Sequence, residues 1–269
     1  MADKAKGPGV WMEELAWPEA KAWLDSGAIV VLPIGAIAKE HGPHLPLMTD
    51  WLLARELAGR VAAELPVLVA PVVGFGFYPA FTGYPGSQHL SAATFMALLK
   101  ELLRKLIADG AQRVAVINTG VSTEGPVNAV VRELYHETGL SISVADIRRL
   151  GNRAGAGLEQ KLGGHADEAE TSMILAIAPE RVRLDLARPD YGSALDHPET
   201  VFITPAIFRD DPSGGLDYSA TGARGDPTLA TAEKGERLLA AMAAELVEGL
   251  RLLHPDAPQE PPQETGARR

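Results

Sequence analysis

Two short stretches of the chain concentrate side chains that can bind a metal or move a proton. The first is Glu40-His41-Gly42-Pro43-His44, followed six residues later by Asp50. Imidazole and carboxylate donors this close together can cradle a divalent cation, and a cation so held acidifies water and polarises carbonyl groups. In a regular strand neighbouring side chains point to opposite faces, so Glu40 and His41 share a site only where the backbone turns. Gly42-Pro43 supplies residues suited to such a turn. A plainer reading stays open here: a solvated Glu40, a His41 that fills a loop, and an Asp50 that caps a helix.

The second stretch is Gly163-Gly164-His165-Ala166-Asp167-Glu168-Ala169-Glu170-Thr171-Ser172. On a continuous helix His165 and Glu170 fall on different faces. They converge only if His165 lies before the first turn, which the diglycine permits. The alternative is an acidic first turn that complements the helix dipole and needs no metal. Two further segments carry weaker signals. Asn118-Thr119-Gly120-Val121-Ser122-Thr123-Glu124 reads as a strand-to-helix loop whose Ser122 could contact substrate or simply cap a turn, and it lacks the lysine of a phosphate loop. The run from Phe75 to Phe81, with Tyr78 inside it and His89 beyond, offers either a substrate wall or a subunit contact. The chain has neither a G-x-S-x-G elbow nor an HExxH zinc motif.

The elements that would position these groups alternate along the chain. Short apolar, β-branched runs at 29–35, 67–73, 113–118 and 141–146 read as buried strands. Amphipathic stretches at 18–26, 50–65, 92–109, 126–138, 166–177 and 229–253 read as helices. The region 185–227 shows no period, and 255–269 is rich in Pro, Gln and Glu and reads as a disordered tail. Strands this apolar, each followed by a helix, predict an α/β fold: a three-layer α/β/α sandwich on a mostly parallel sheet, forming a single domain over 1–254. In such folds ligands gather beyond the carboxyl ends of the strands. His41, His44, His89 and His165 all fall there or at a helix start.

Composition narrows the function classes. With no cysteine, thiol nucleophiles, Fe–S clusters and thiolate zinc sites are excluded, so any metal must be held by His, Asp and Glu. A net charge of −10, from 25 basic and 35 acidic residues, disfavours nucleic acid and anionic membrane as partners. No apolar run reaches the length of a membrane span, and the first residues do not read as a signal peptide, so the expected location is the cytoplasm. At 269 residues, the chain can bury roughly three quarters of its unfolded surface without covalent staples.

With these residues in hand, the sequence resembles the creatininase (creatinine amidohydrolase) family from Trp11 to Leu253. The resemblance is carried by Leu32-Pro33-Ile34-Gly35 through Glu40-His41-Gly42-Pro43-His44-Leu45-Pro46 to Thr49-Asp50. It continues in Tyr84-Pro85-Gly86-Ser87, in His165 with Glu170-Thr171-Ser172, and in the glycine-bounded segment 222–235. It implies a metal-dependent hydrolase of a small cyclic substrate, foremost a cyclic amide. The metal would be one or two divalent ions, zinc or manganese first and iron third. It also implies a homo-oligomer, possibly a hexamer. By position, His41 and Asp50 correspond to metal ligands, Glu170 to a further ligand and His165 to the catalytic histidine. Tyr78 and Ser122 are candidate substrate contacts.

Two departures stand out. The family's glutamate two residues before the histidine is Lys39 here, leaving Glu40 one residue out of step. The family's loop histidine is absent from Asn118-Thr119-Gly120-Val121-Ser122-Thr123. His89 is the expected replacement ligand, with Glu124 behind it. These departures argue against creatinine as the substrate. Hydrolytic opening of a cyclic ketone and non-catalytic binding of a small molecule are the alternatives.

Overall fold

In the computed structural model, residues 7–151, 153, 157–192, 201, 207–211, 213 and 218–263 are described. The apolar runs pair as parallel strands: β1 (Val10–Trp11), β2 (Ile29–Ile34), β3 (Val67–Val69), β4 (Arg113–Asn118) and β5 (Ile142–Asp146), in the order β1-β3-β2-β4-β5. The register sets Val30 beside Leu68 on one side and Val114 on the other. The α/β/α expectation therefore holds, with every described strand parallel.

Side-chain alternation along each strand feeds two cores. Ile29, Val31, Val67, Val69, Ala115 and Ile117 face helices α2 (Thr49–Glu64), α5 (Glu168–Ile177) and α6 (Ala232–Leu253). Val30, Leu32, Ile34, Leu68, Val114 and Val116 face α1 (Trp17–Asp25), α3 (Ala92–Ala108) and α4 (Glu124–Thr138). From β2 the chain crosses over α2 to β3 on one side. It then crosses back over α3, past β2, to β4 on the other. The direction of winding thus reverses at β2, and the crevice outside the ends of β2 and β4 is the topological switch point where α/β sheets hold ligands.

Several boundaries differ from the sequence reading for local reasons. β1 pairs with β3 over two residues, too few to show any period. The expected strand at 67–73 keeps a continuous ladder only to Val69; Pro71 has no N–H to give, and pairing resumes as a single bridge from Val73 to Ile34. The helix expected from residue 166 begins at Glu168, with Asp167 as its cap accepting the Glu170 N–H at 3.0 Å. The last helix starts at Ala232, capped by Thr231. Part of the expected tail is described at 255–263, where Ala257 packs against the α6 core. Residues 264–269, and much of the aperiodic region at 185–227, lie outside the described residues.

Candidate metal centre

The segment after β2 turns back across the switch point because its backbone is fixed at both ends. Ile37 N–H donates to Gly74 O at 2.8 Å and Lys39 N–H to Leu47 O at 3.0 Å. Gly35 lies directly against the backbone of Asp50, where a Cβ has no room. Trp51 N–H donates to Ala36 O at 3.1 Å, and the Thr119 hydroxyl reaches Asp50 O at 2.9 Å. These contacts present Asp50, in the first turn of α2, to the crevice. Gly42, at φ +70°, makes the turn that brings His41 round to it.

His41 is fully buried. Its Nδ1 lies 2.9 Å from Lys39 O and its Nε2 lies 2.9 Å from Asp50 Oδ1. A carbonyl can only accept, so Nδ1 carries the hydrogen. Nε2 then meets a carboxylate oxygen, an arrangement that requires a second ring proton or a cation close to both atoms. On the other side of Asp50, Lys39 Nζ lies 2.7 Å from Oδ2, with both side chains buried. A narrow pocket opens beside this pair, lined by Lys39, Asp50, Tyr78, Gly120 and Ser122 among others.

The second stretch delivers His165 and Glu170. His165 bridges antiparallel to Arg224, with Arg224 N–H donating to His165 O at 2.7 Å. Ala166 then takes φ +47°, an uncommon conformation for a residue with a Cβ and a pattern of strain that clusters at functional sites. That kink ahead of α5 lets His165 turn back towards Glu170. His165 Nδ1 lies 3.8 Å from Glu170 Oε2, and the same carboxylate oxygen accepts the Ala166 N–H at 2.5 Å.

His165 Nε2 lies 2.9 Å from Glu40 O and 3.1 Å from Glu40 Oε2, both acceptors, so it carries the hydrogen and leaves the Nδ1 lone pair facing Glu170. A histidine whose far N–H is held by a carbonyl and a carboxylate is oriented as metal-binding histidines usually are. Gly222, at φ +78°, lies directly against that Glu40 carboxylate.

His41, His165 and Glu170 together offer three ligand atoms, all within 4.8 Å of one another. This donor set of two imidazoles and a carboxylate suits a divalent transition metal. Phe81 and Phe208 roof the group, their ring centroids 4.1 and 5.7 Å from that of His165. Lys39 Nζ sits 4.9 Å from the Phe81 centroid.

The electrostatics follow from burial. Burial alone would push the Asp50 carboxyl up, but the Lys39 and His41 charges and hydrogen bonds outweigh it and hold it well below the usual carboxylate range. Burial raises Glu170 to about 7, against the opposing pull of His165 and Lys39. His44 is lowered by burial to about 4 and is neutral, with its Nε2 3.0 Å from Thr171 Oγ1.

The sequence-predicted residues are thus placed as follows. His41, Asp50, His165, Glu170 and Glu40 come together, but Asp50 and Glu40, both expected as ligands, stand outside the three-ligand group: Asp50 contacts His41 and Glu40 contacts His165. Ser122 lines the pocket. Tyr78 lines it too, but its hydroxyl lies between the backbone oxygens of Ala38 and Gln88, with its one hydrogen available to the nearer, Gln88 O. His89, expected as a replacement ligand, lies tilted against Tyr78 and Phe77, with ring centroids 6.1 and 6.4 Å away, and is not a member of the group. Glu124 pairs with Arg148.

The sequence reading missed the pairing of Lys39 with Asp50 and the roofing by Phe81 and Phe208. The only sequence signal for the first was a lysine standing where the resemblance called for a carboxylate.

A family model described as creatinine amidohydrolase matches residues 13–250. The creatinine amidohydrolase of Pseudomonas putida is 27% identical over 265 residues, covering 90% of this chain and 96% of that protein. A mycofactocin precursor peptide peptidase of Mycolicibacterium smegmatis is 30% identical over 236 residues, covering 85% and 86%. A solved structure titled "Creatininase Mn" superposes with a TM-score of 0.73 at 26% identity, covering 92% of this chain and 99% of the other.

Proposed function

The chain belongs to the creatininase family of hydrolases, and from that premise we propose that it hydrolyses the carbon–nitrogen bond of a small cyclic amide with the help of a divalent cation. The observation that carries this reading is the convergence of His41, His165 and Glu170 from two distant segments, next to the Asp50 that lines a pocket at the sheet's switch point. Zinc or manganese suits these donors, with iron a third option. When bound, such a cation supplies Lewis acidity, polarising a carbonyl and lowering the pKa of water.

The chain's own residues supply the rest. Glu40 holds the Nε2 hydrogen of His165 and so aims Nδ1. Lys39 Nζ, in the pocket wall, donates to the substrate carbonyl oxygen as negative charge develops there. Phe81 and Phe208 keep water from the His165 ring. Ser122 offers a hydroxyl for orienting substrate. In this reading His165 holds the ion, in place of the catalytic role, moving a proton to the leaving group, that the resemblance implies for it. Loss of both ion and turnover in His165→Ala supports the ligand role; an ion retained with turnover lost assigns the shuttle role.

In this reading creatinine itself is not the preferred substrate, because the chain departs from the family at Lys39 and in the loop after β4. The 30% identity to a peptide peptidase favours, as a second reading, an amide within a peptide. A panel of cyclic amides, cyclic ketones and short peptides, assayed after chelation and after adding back zinc or manganese, separates these. Metal-restored turnover of a cyclic amide is expected. Ligand binding without turnover that persists in His41→Ala would identify a binding protein instead. We also propose that copies associate, because Trp17, Leu98 and Leu102 are exposed; light scattering checks this.

A further inference from the structure

We infer that the site takes one divalent cation and that the Lys39 ammonium occupies the position of a second, on the outer oxygen of Asp50. The inference rests on the proposed reading that an ion binds at His41, His165 and Glu170, and it fixes how many ions that site holds.

Two independent observations carry it. The first is geometric. Asp50 is the buried carboxylate beside the three-ligand group, in contact with the His41 ring. Its two oxygens are already divided: Oδ1 faces His41 Nε2 at 2.9 Å and Oδ2 faces Lys39 Nζ at 2.7 Å. A second ion on Oδ2 would have to displace a buried ammonium. It would also lack partners on the far side, where the loop after β4 presents Gly120, which has no side chain, and Ser122. Among the described residues, the only group of three or more close metal-ligating side chains is His41, His165 and Glu170.

The second observation is charge. Four charged side chains face the cluster: Lys39, Glu40, Asp50 and Glu170. With carboxylates ionised, an ammonium and neutral imidazoles, their formal charges sum to minus two. Asp167, the next carboxylate, accepts the N–H groups of Gly164 and Glu170 at the start of α5. One divalent cation therefore neutralises these four groups. A second would leave a surplus of positive charge among them in a buried space, which is strongly unfavourable. Lys39 is thus a permanent, tethered substitute for a cation, fixed against Asp50 and packed near the Phe81 ring.

The test is stoichiometry. Full-length protein purified without chelator, then dialysed against zinc or against manganese, is analysed for metal by plasma emission against protein from amino-acid analysis. One ion per chain is expected. Two ions per chain overturn this inference and leave the proposed function standing; none overturns both.

A titration against a chromophoric chelator then compares wild type with Lys39→Gln, which keeps the stem and removes the charge. Loss of a neighbouring positive charge and release of Asp50 should tighten binding by at least about tenfold. Unchanged or weaker affinity, in a variant whose circular dichroism and Tm match wild type, overturns the role given to Lys39. Lys39→Met serves the same comparison if the glutamine variant does not fold.

Discussion

The segment after β2, residues 35–48, and the segment after β4, residues 119–123, meet at the same crevice and use their side chains in opposite ways. The first sends Lys39, Glu40 and His41 into the site. The second spends its polar groups on backbone and on one another. Thr119 Oγ1 reaches Ile34 O at 3.0 Å and Asp50 O at 2.9 Å. Thr123 Oγ1 lies 2.6 Å from Asn118 Oδ1, and Asn118 Nδ2 donates to Gly120 O and Asp146 Oδ2. A strand-end loop can thus be scaffold or site with much the same residue types. The difference is whether its hydrogen-bonding capacity is already met by the backbone. Here the side chains that could hold an ion come from the β2 segment and the kinked turn at 165–170, and Lys39 takes the outer oxygen of Asp50.

Removing a proposed ligand should have the largest effect. His41→Ala or His165→Ala should weaken zinc or manganese binding by more than about a hundredfold, beyond what loss of an orienting group costs, and should abolish turnover. Chelator competition and a rate assay check both.

The β2 segment should also carry an acid sensitivity that the β4 segment lacks. The folded-state pKa of His44 is lowered from 6.5 to about 4 by burial. Below pH 6.5 the unfolded chain therefore gains a proton that the folded chain refuses until about pH 4. Stability present above pH 6.5 is lost across that window, by up to about 3 kcal/mol. Urea titrations at pH 7.5 and pH 4.5 should show this loss in wild type and a smaller one in His44→Gln.

Glu40→Gln leaves the ligands in place and loosens the orientation of His165. It should weaken ion binding by roughly ten- to a hundredfold with little change in Tm. The smallest effect sharpens the contrast from the other side. Thr119→Val leaves Ile34 O and Asp50 O without that hydroxyl and should cost about 1–2 kcal/mol in urea unfolding, with ion affinity nearly unchanged.

Much of this arrangement was legible in the sequence. β4 runs over the predicted residues, because Arg113 to Asn118 is a branched apolar run bounded by turn residues. The segment from Glu40 to Asp50 and the kink that frees His165 could be read from residue types and the diglycine. What could not be read depends on where a folded loop returns. Lys39 meets Asp50 only because Gly35 lets the start of α2 press against the end of β2. His89 is plausible by position, yet it packs against Phe77 and Tyr78, since a half-buried ring beside aromatics gains from tilted, edge-to-face contact. The start of α4 at Glu124, ahead of the expected Pro126, reflects the tolerance of a first helical turn for proline, whose missing N–H is needed by no partner there.

In the proposed site the ion is held from the β2 segment and the turn before α5, with nothing from the β4 loop. An anomalous difference map at the zinc or manganese edge, from crystals grown with that ion, is the decisive measurement. One peak per chain is expected within coordination distance of His41, His165 and Glu170, with Lys39 still on Asp50. A peak coordinated by His89 or by residues 118–124, or a second peak on Asp50 with Lys39 displaced, would contradict it.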